Sequence, residues 1–187
     1  MFEAGELRKG LKIEMEGDPH VIVEFDFVKP GKGQALYKCK LKNMITGAIF
    51  DHTFRSGDRV NKANLEERKM EYLYADGDTY CFMDSSNYEQ IFIPGENIQE
   101  VLDLLKENVV CDVLFFDNTP IGITLPNFIE LAVIEADPWV KGDTASGSSK
   151  PVKLETGCYL QVPPFIESGD VLKVDTRTKA YVERVKE

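Results

Sequence analysis

Val21-Ile22-Val23-Glu24-Phe25-Asp26-Phe27-Val28, then Lys29-Pro30-Gly31-Lys32-Gly33-Gln34, then Ala35-Leu36-Tyr37-Lys38-Cys39-Lys40-Leu41-Lys42-Asn43: two alternating runs flank a hexapeptide of turn residues. In the first run Val21, Val23, Phe25 and Phe27 recur at period two with Glu24 and Asp26 between them, as in a strand with one buried face. The second sets Tyr37, Cys39 and Leu41 on one face and Lys38, Lys40 and Lys42 on the other, which predicts a basic outer stripe. Glycines on both sides of Lys32 allow positive φ and leave no neighbouring side chain to shield it, while Pro30 stiffens the approach. Lys32 is therefore displayed alone. By itself the hexapeptide also reads as a plain hairpin turn with a solubilising lysine. Similar short runs at residues 10–17 and 48–54, separated by turn clusters, complete a small β-barrel.

Residues 58–64 are polar and unpatterned, which places a domain boundary near residue 64. Beyond it Met70, Tyr72 and Tyr74 alternate up to Ala75-Asp76-Gly77-Asp78, and Tyr80 and Phe82 resume, predicting a hairpin. Ile98, Val101, Leu102 and Leu105 recur at helical spacing and predict an amphipathic helix over residues 96–108. Strands follow at residues 109–116 and 120–125. Several short strands with one helix fit a five-stranded OB barrel, or an SH3-like barrel with an inserted helix. Residues 129–187 repeat the style, with strands at 130–136, 150–154, 158–162, 171–175 and 180–185. No strong internal repeat is present, so the two OB assignments rest on strand count. A chain of 187 residues with 43% hydrophobic and 29% charged side chains is long enough for two or three compact domains. The predicted class is all-β: three small barrels over residues 1–64, 65–128 and 129–187.

Charge is distributed unevenly. Residues 1–64 carry 11 basic and 9 acidic side chains, residues 65–128 carry 3 and 13, and residues 129–187 carry 8 and 10, so the middle third holds the net of −10. An acidic centre repels phosphate, which leaves the two ends for RNA contact. Cys39, Cys81, Cys111 and Cys158 lie at least 30 residues apart and form no metal-binding spacing. His20 and His52 have no identifiable Ser or Cys partner, and no phosphate loop or dinucleotide fingerprint occurs. Neither a catalytic residue nor a cofactor is expected. No apolar run approaches the ~20 residues of a membrane span, so a cytoplasmic protein is predicted. Tyr72, Tyr74, Tyr80 and Phe82 could stack bases, but their acidic surroundings favour a place in the core or in packing between domains.

The string Val28-Lys29-Pro30-Gly31-Lys32-Gly33-Gln34-Ala35 resembles the first-domain hairpin of the elongation factor P family. Leu41-Lys42-Asn43, Thr53-Phe54-Arg55, Tyr72-Leu73-Tyr74, Pro126-Asn127-Phe128-Ile129-Glu130-Leu131 and Lys141-Gly142-Asp143-Thr144 match in the same order, and residues 150–169 resemble the C-terminal signature. The likeness covers essentially the whole chain. Departures are Val152, where a small Ala is expected, and Trp139, where Gly usually follows the proline. The resemblance implies an SH3-like (KOW) domain followed by two OB domains, set in an L similar in shape to tRNA. It implies a monomer that binds the 70S ribosome between the peptidyl and exit tRNA sites and relieves stalling at consecutive prolines. Lys32 becomes the tip residue at the peptidyl-tRNA, supported by Lys29, Pro30, Gly31, Gly33 and Gln34, and the target of a lysine-modifying enzyme whose product stays open. Candidate contacts to tRNA and ribosomal RNA are Lys40, Lys42, Gly142, Asp143, Thr144, Tyr181 and Arg184. The lysine tip favours the main family over its elongation factor P-like paralogue. A generic OB-fold RNA-binding protein, which requires a basic groove interleaved with aromatics, remains the alternative of a different class.

Overall fold

The computed structural model describes residues 1–138 and 149–185. Its strands form three antiparallel sheets that follow one another along the chain. The first contains β1 (Phe2–Glu3), β2 (Lys12–Met15), β3 (Asp18–Val28), β4 (Leu36–Asn43), β5 (Ile49–Arg55) and β6 (Arg59–Lys62), in the order β1-β6-β2-β3-β4-β5. Its core is Ala4, Leu7, Ile13, Ile22, Cys39, Leu41, Phe54 and Val60, with Phe25 and Tyr37 packed against it.

Two features of this sheet depart from the sequence reading. Residues 58–64, read as an unpatterned boundary, contain β6, which pairs with both β1 and β2. Four residues with one buried side chain, Val60, carry no readable period, and their partners lie some 45 to 60 residues earlier in the chain. The alternation Val21, Val23, Phe25, Phe27 is also broken. A bulge between Ile22 and Glu24 inserts one residue, so Ile22 is fully buried, Val21 and Val23 are only half-buried, and the inward face resumes at Phe25.

The second sheet is β7 (Leu65–Asp76), β8 (Thr79–Asp84), β9 (Gln90–Pro94), β10 (Val110–Phe116) and β11 (Thr119–Thr124), ordered β11-β10-β7-β8-β9. The predicted hairpin is present, with Asp76 opposite Thr79 and Gly77 at φ +60° in the turn. Tyr72 and Phe82 enter the core, whereas Tyr74 is exposed. The helix expected over residues 96–108 is reduced to a 3-10 turn, Gly95–Asn97, and one short helix, α1 (Gln99–Leu102). Beyond α1 the bonds tighten to three-residue spacing: the Leu104 N–H donates to Val101 at 3.0 Å and the Leu105 N–H to Leu102 at 3.3 Å. Asn108 then adopts φ +66° and donates its N–H to the Tyr72 carbonyl at 2.8 Å. Return of the chain to β7, with burial of Ile98, Leu104 and Leu105, outweighs a helix too short to persist alone.

The third sheet is β12 (Phe128–Ala136), β13 (Lys150–Leu154), β14 (Tyr159–Val162), β15 (Val171–Asp175) and β16 (Ala180–Arg184), ordered β14-β13-β12-β15-β16. Leu131, Leu154, Ile166, Leu172 and Val174 are completely buried in it. Val152, the departure from the family pattern, is buried as well, so the larger side chain fills core space. Trp139 lies outside the described residues.

By contact density the chain forms two compact units, one of residues 1–67 and 114–122, the other of residues 68–113 and 123–187. Within the second, the turn after α1 is tied to the third sheet by Lys106 with Glu155 and by Lys179 with Asp103, both at 2.9 Å. Burial opposes ionisation of Glu155, yet the Ala132 N–H and the Lys106 ammonium hold its carboxyl below the ordinary range.

In the β15–β16 turn the Arg177 guanidinium forks onto Asp175 at 3.1 and 2.7 Å. That hydrogen bond, joined by the Arg177 N–H, lowers the Asp175 carboxyl from 3.8 to about 2. A depressed folded value means that the stabilisation is complete above pH 3.8 and is lost as pH falls through about 2. Asp175→Asn should therefore unfold with a flatter pH dependence across that window; acid titration by circular dichroism with a slope equal to wild type would refute the assignment.

Candidate functional site

Residues 29–35 form the loop between β3 and β4, closed at its base by Val28 opposite Leu36. Lys32 is its midpoint, with three residues on either side. Lys29, Gly31, Lys32, Gly33 and Gln34 are all exposed, and Pro30 is half-buried. No described carboxylate pairs with the Lys32 ammonium. The two glycines are not equivalent. Gly33 has φ +131°, and a Cβ there would meet the Pro30 ring at an ordinary 3.6 Å, so conformation rather than space demands glycine; Gly31 has no positive φ and open space around it. Gly33→Ala should cost the loop about 1–3 kcal/mol of strain and redirect Lys32, whereas Gly31→Ala should leave the path intact. Amide chemical shifts across residues 29–35 distinguish the two, and equal perturbation by both would overturn the reading.

The stem carries aromatic rings on its inner face. Phe25 stacks on Tyr37 at 6.3 Å, and Phe27, directly opposite Tyr37 on the same face, has its ring 5.2 Å from it. A Cβ on Gly5 would lie 3.5 Å from the Tyr37 hydroxyl, so the turn at Ala4–Glu6 packs over this ring. On the outer face the lysine stripe exists but is not purely basic. Lys38 and Lys42 are exposed, while Lys40 is paired with Glu24 at 3.0 Å and lies opposite Asp51 on β5. Hydrogen bonding to Glu24 raises the Lys40 ammonium. Glu24, Asp26, Lys38, Lys40 and Asp51 line one depression of about 460 Å³, alternating in sign. The sequence showed the three lysines together; the acids opposite them come from strand register.

Lys29, Pro30, Gly31, Lys32, Gly33, Gln34, Lys40 and Lys42 are thus gathered on one hairpin. Tyr181 and Arg184 belong to β16 in the other compact unit, where Tyr181 is half-buried and Arg184 is exposed. Arg184 lies 3.6 Å from Asp170 and 5.6 Å from the Phe165 ring centre. Gly142, Asp143 and Thr144 lie outside the described residues. In the sequence Phe27 and Tyr37 are plain inward positions of alternating runs. That a core face runs past the end of its barrel leaves no mark in a period-two pattern.

Among the described residues no group of three or more His, Cys, Asp or Glu side chains could hold a metal ion. Cys39, Cys81 and Cys111 are buried free thiols, and burial pushes Cys111 up to about 12, the reverse of an activated nucleophile. The His20 Nδ1 donates to the Asp18 carbonyl at 3.0 Å and its ring packs against Phe50, a structural placement. No helix among the described residues is long and apolar enough to cross a membrane.

The "Eukaryotic translation initiation factor 5A from Methanococcus jannaschii" shares the fold, with TM-score 0.55 and 22% identity over 66% of this chain and 91% of that one. The family profiles described as "Elongation factor P (EF-P) KOW-like domain", "Elongation factor P (EF-P) OB domain" and "Elongation factor P, C-terminal" match residues 3–60, 65–123 and 129–184. Elongation factor P of Desulfosudis oleivorans is 76% identical over 186 residues, and that of Desulforapulum autotrophicum 59% over 187, each covering 100% of both chains. This chain belongs to the elongation factor P family, a family of translation elongation factors.

Proposed function

We propose that the protein binds the ribosome between the peptidyl and exit tRNA sites and accelerates peptide-bond formation at consecutive prolines by positioning the peptidyl-tRNA. Three modules, residues 1–64, 65–128 and 129–187, carry out this task in a cytoplasmic monomer. The observation that carries the reading is Lys32: an unpaired ammonium at the midpoint of a seven-residue loop, on the module with net positive charge. Proline's locked φ and secondary amine make it an awkward partner in peptidyl transfer. A cationic arm that holds the tRNA end in an attack-ready geometry lowers the entropic part of that barrier without a nucleophile or metal of its own.

In this reading Lys32 is also where a lysine-modifying enzyme extends the arm. Lys29 and Lys42 contribute phosphate contacts, with Lys40 a weaker contributor because Glu24 already neutralises it. Tyr181, Arg184, Gly142, Asp143 and Thr144 supply contacts to tRNA or ribosomal RNA from the third module. Acidity in the middle module suppresses binding to unrelated RNA. The test is single-turnover peptide-bond formation on ribosomes stalled at a Pro-Pro-Pro sequence. The protein, purified from its native host, should raise the rate there and leave a proline-free sequence unchanged; equal rates with and without it on the proline template would sink the proposal.

A further inference from the structure

We propose that Phe27 is a stacking platform for an unpaired RNA nucleotide, so that the hairpin grips its partner through a ring as well as through its lysines; this rests on the RNA-contacting role given to the hairpin above. Phe27 lies on a paired strand yet is 49% exposed. The next two rings inward, Tyr37 and Phe25, are packed against the core, so the aromatic row continues beyond the end of the barrel and leaves its outermost member open. A single exposed apolar side chain is unremarkable in itself. Touching only Tyr37 among the described rings, Phe27 differs from the other exposed aromatic side chains, apart from Tyr159 on β14, in its surroundings. Phe128 and Phe165 are covered by cations of their own chain, Lys173 and Arg177 over the first and Arg184 over the second. Phe50 is engaged edge-on by His20. Tyr74, Tyr88 and Phe92 are exposed within the segment of 3 basic and 13 acidic side chains, which repels phosphate.

Phe27 instead belongs to the net-positive segment, with exposed Lys29 two positions on and Lys32 five positions on. Five residues span at most about 17 Å, so ring and ammonium reach the same short stretch of nucleic acid. An open ring beside free cations is the combination that binds unpaired nucleotides, the base stacking on the ring while lysines meet the phosphates. A basic-protein partner would meet lysines of its own sign here, so charge favours RNA.

The test compares the half-saturating protein concentration for ribosome binding and for Pro-Pro acceleration among wild type, Phe27→Leu and Phe27→Trp, alongside melting temperatures. Phe27→Leu keeps the bulk but loses the π face, and should raise both concentrations between about fivefold and about a hundredfold at unchanged melting temperature. Phe27→Trp, with a larger ring, should bind at least as tightly as wild type. A ring needed only for packing predicts loss in both variants, and that result, or wild-type behaviour of Phe27→Leu, overturns the inference. A second measurement is independent of these substitutions' stability: p-benzoylphenylalanine in place of Phe27 should crosslink to RNA in ribosome complexes, and a crosslink to protein alone, or none to RNA, refutes it. Absence of acceleration by the wild type would instead reject the functional reading while leaving the binding and crosslinking results to judge Phe27.

Discussion

Lys32→Ala should abolish acceleration at consecutive prolines while leaving the melting temperature unchanged. The two halves of that expectation have separate causes. Stability is untouched because the side chain is exposed, pairs with no described carboxylate and lies in a loop whose path is set by Gly33 rather than by Lys32; such surface changes stay within about 0.5 kcal/mol. Activity disappears because an interaction made only while the reacting ends are held is removed entirely. Lys32→Arg sharpens the test. It retains the positive charge but not the primary amine, so a factor that depends on covalent extension of Lys32 fails with arginine as it does with alanine, whereas one that needs charge alone recovers. A polyproline reporter in cells lacking the native factor, with a thermal scan of each purified variant, reads both quantities. Full reporter activity in Lys32→Ala would rule out the tip mechanism.

Phe82→Ala should be the opposite kind of variant, costing about 3–5 kcal/mol of stability without touching the hairpin. Phe82 is completely buried in β8, paired with Tyr72 on β7 and Ile91 on β9, with its ring 5.3 Å from that of Tyr72. Truncation leaves a hole that neighbouring strands, pinned by their ladders on both sides, cannot collapse into. A loss of that size lowers the midpoint of thermal or denaturant unfolding well beyond any surface change. A loss under about 1 kcal/mol in urea titration would show that this position is not the close-packed centre of the second sheet.

Membership of the elongation factor P family is visible in the residues because its marks are local. The display of Lys32 depends on Gly33 beside it and on the stiff Pro30 before it. The β3 and β4 strands announce themselves through alternation, and their turn by its composition. In the third sheet, strands at residues 150–154 and 171–175 coincide with the observed β13 and β15. The lysines at 38, 40 and 42 share one face because a strand repeats every two residues.

What the sequence by itself determined, then, is the all-β class, the hairpin and the lysine at its tip, since each follows from the conformational preferences of neighbouring residues. Tertiary structure decided the rest. One inserted residue at the β3 bulge inverted the alternation and buried Ile22 in place of Val21 and Val23. Pairing with strands far away in the chain made β6 from four unpatterned residues, and the return to β7 cut a helical pattern down to one short helix. Register set Glu24 and Asp51 against Lys40, and the end of the barrel left Phe27 open. Each of these depends on which distant atoms come to lie alongside, and a local period carries no record of that.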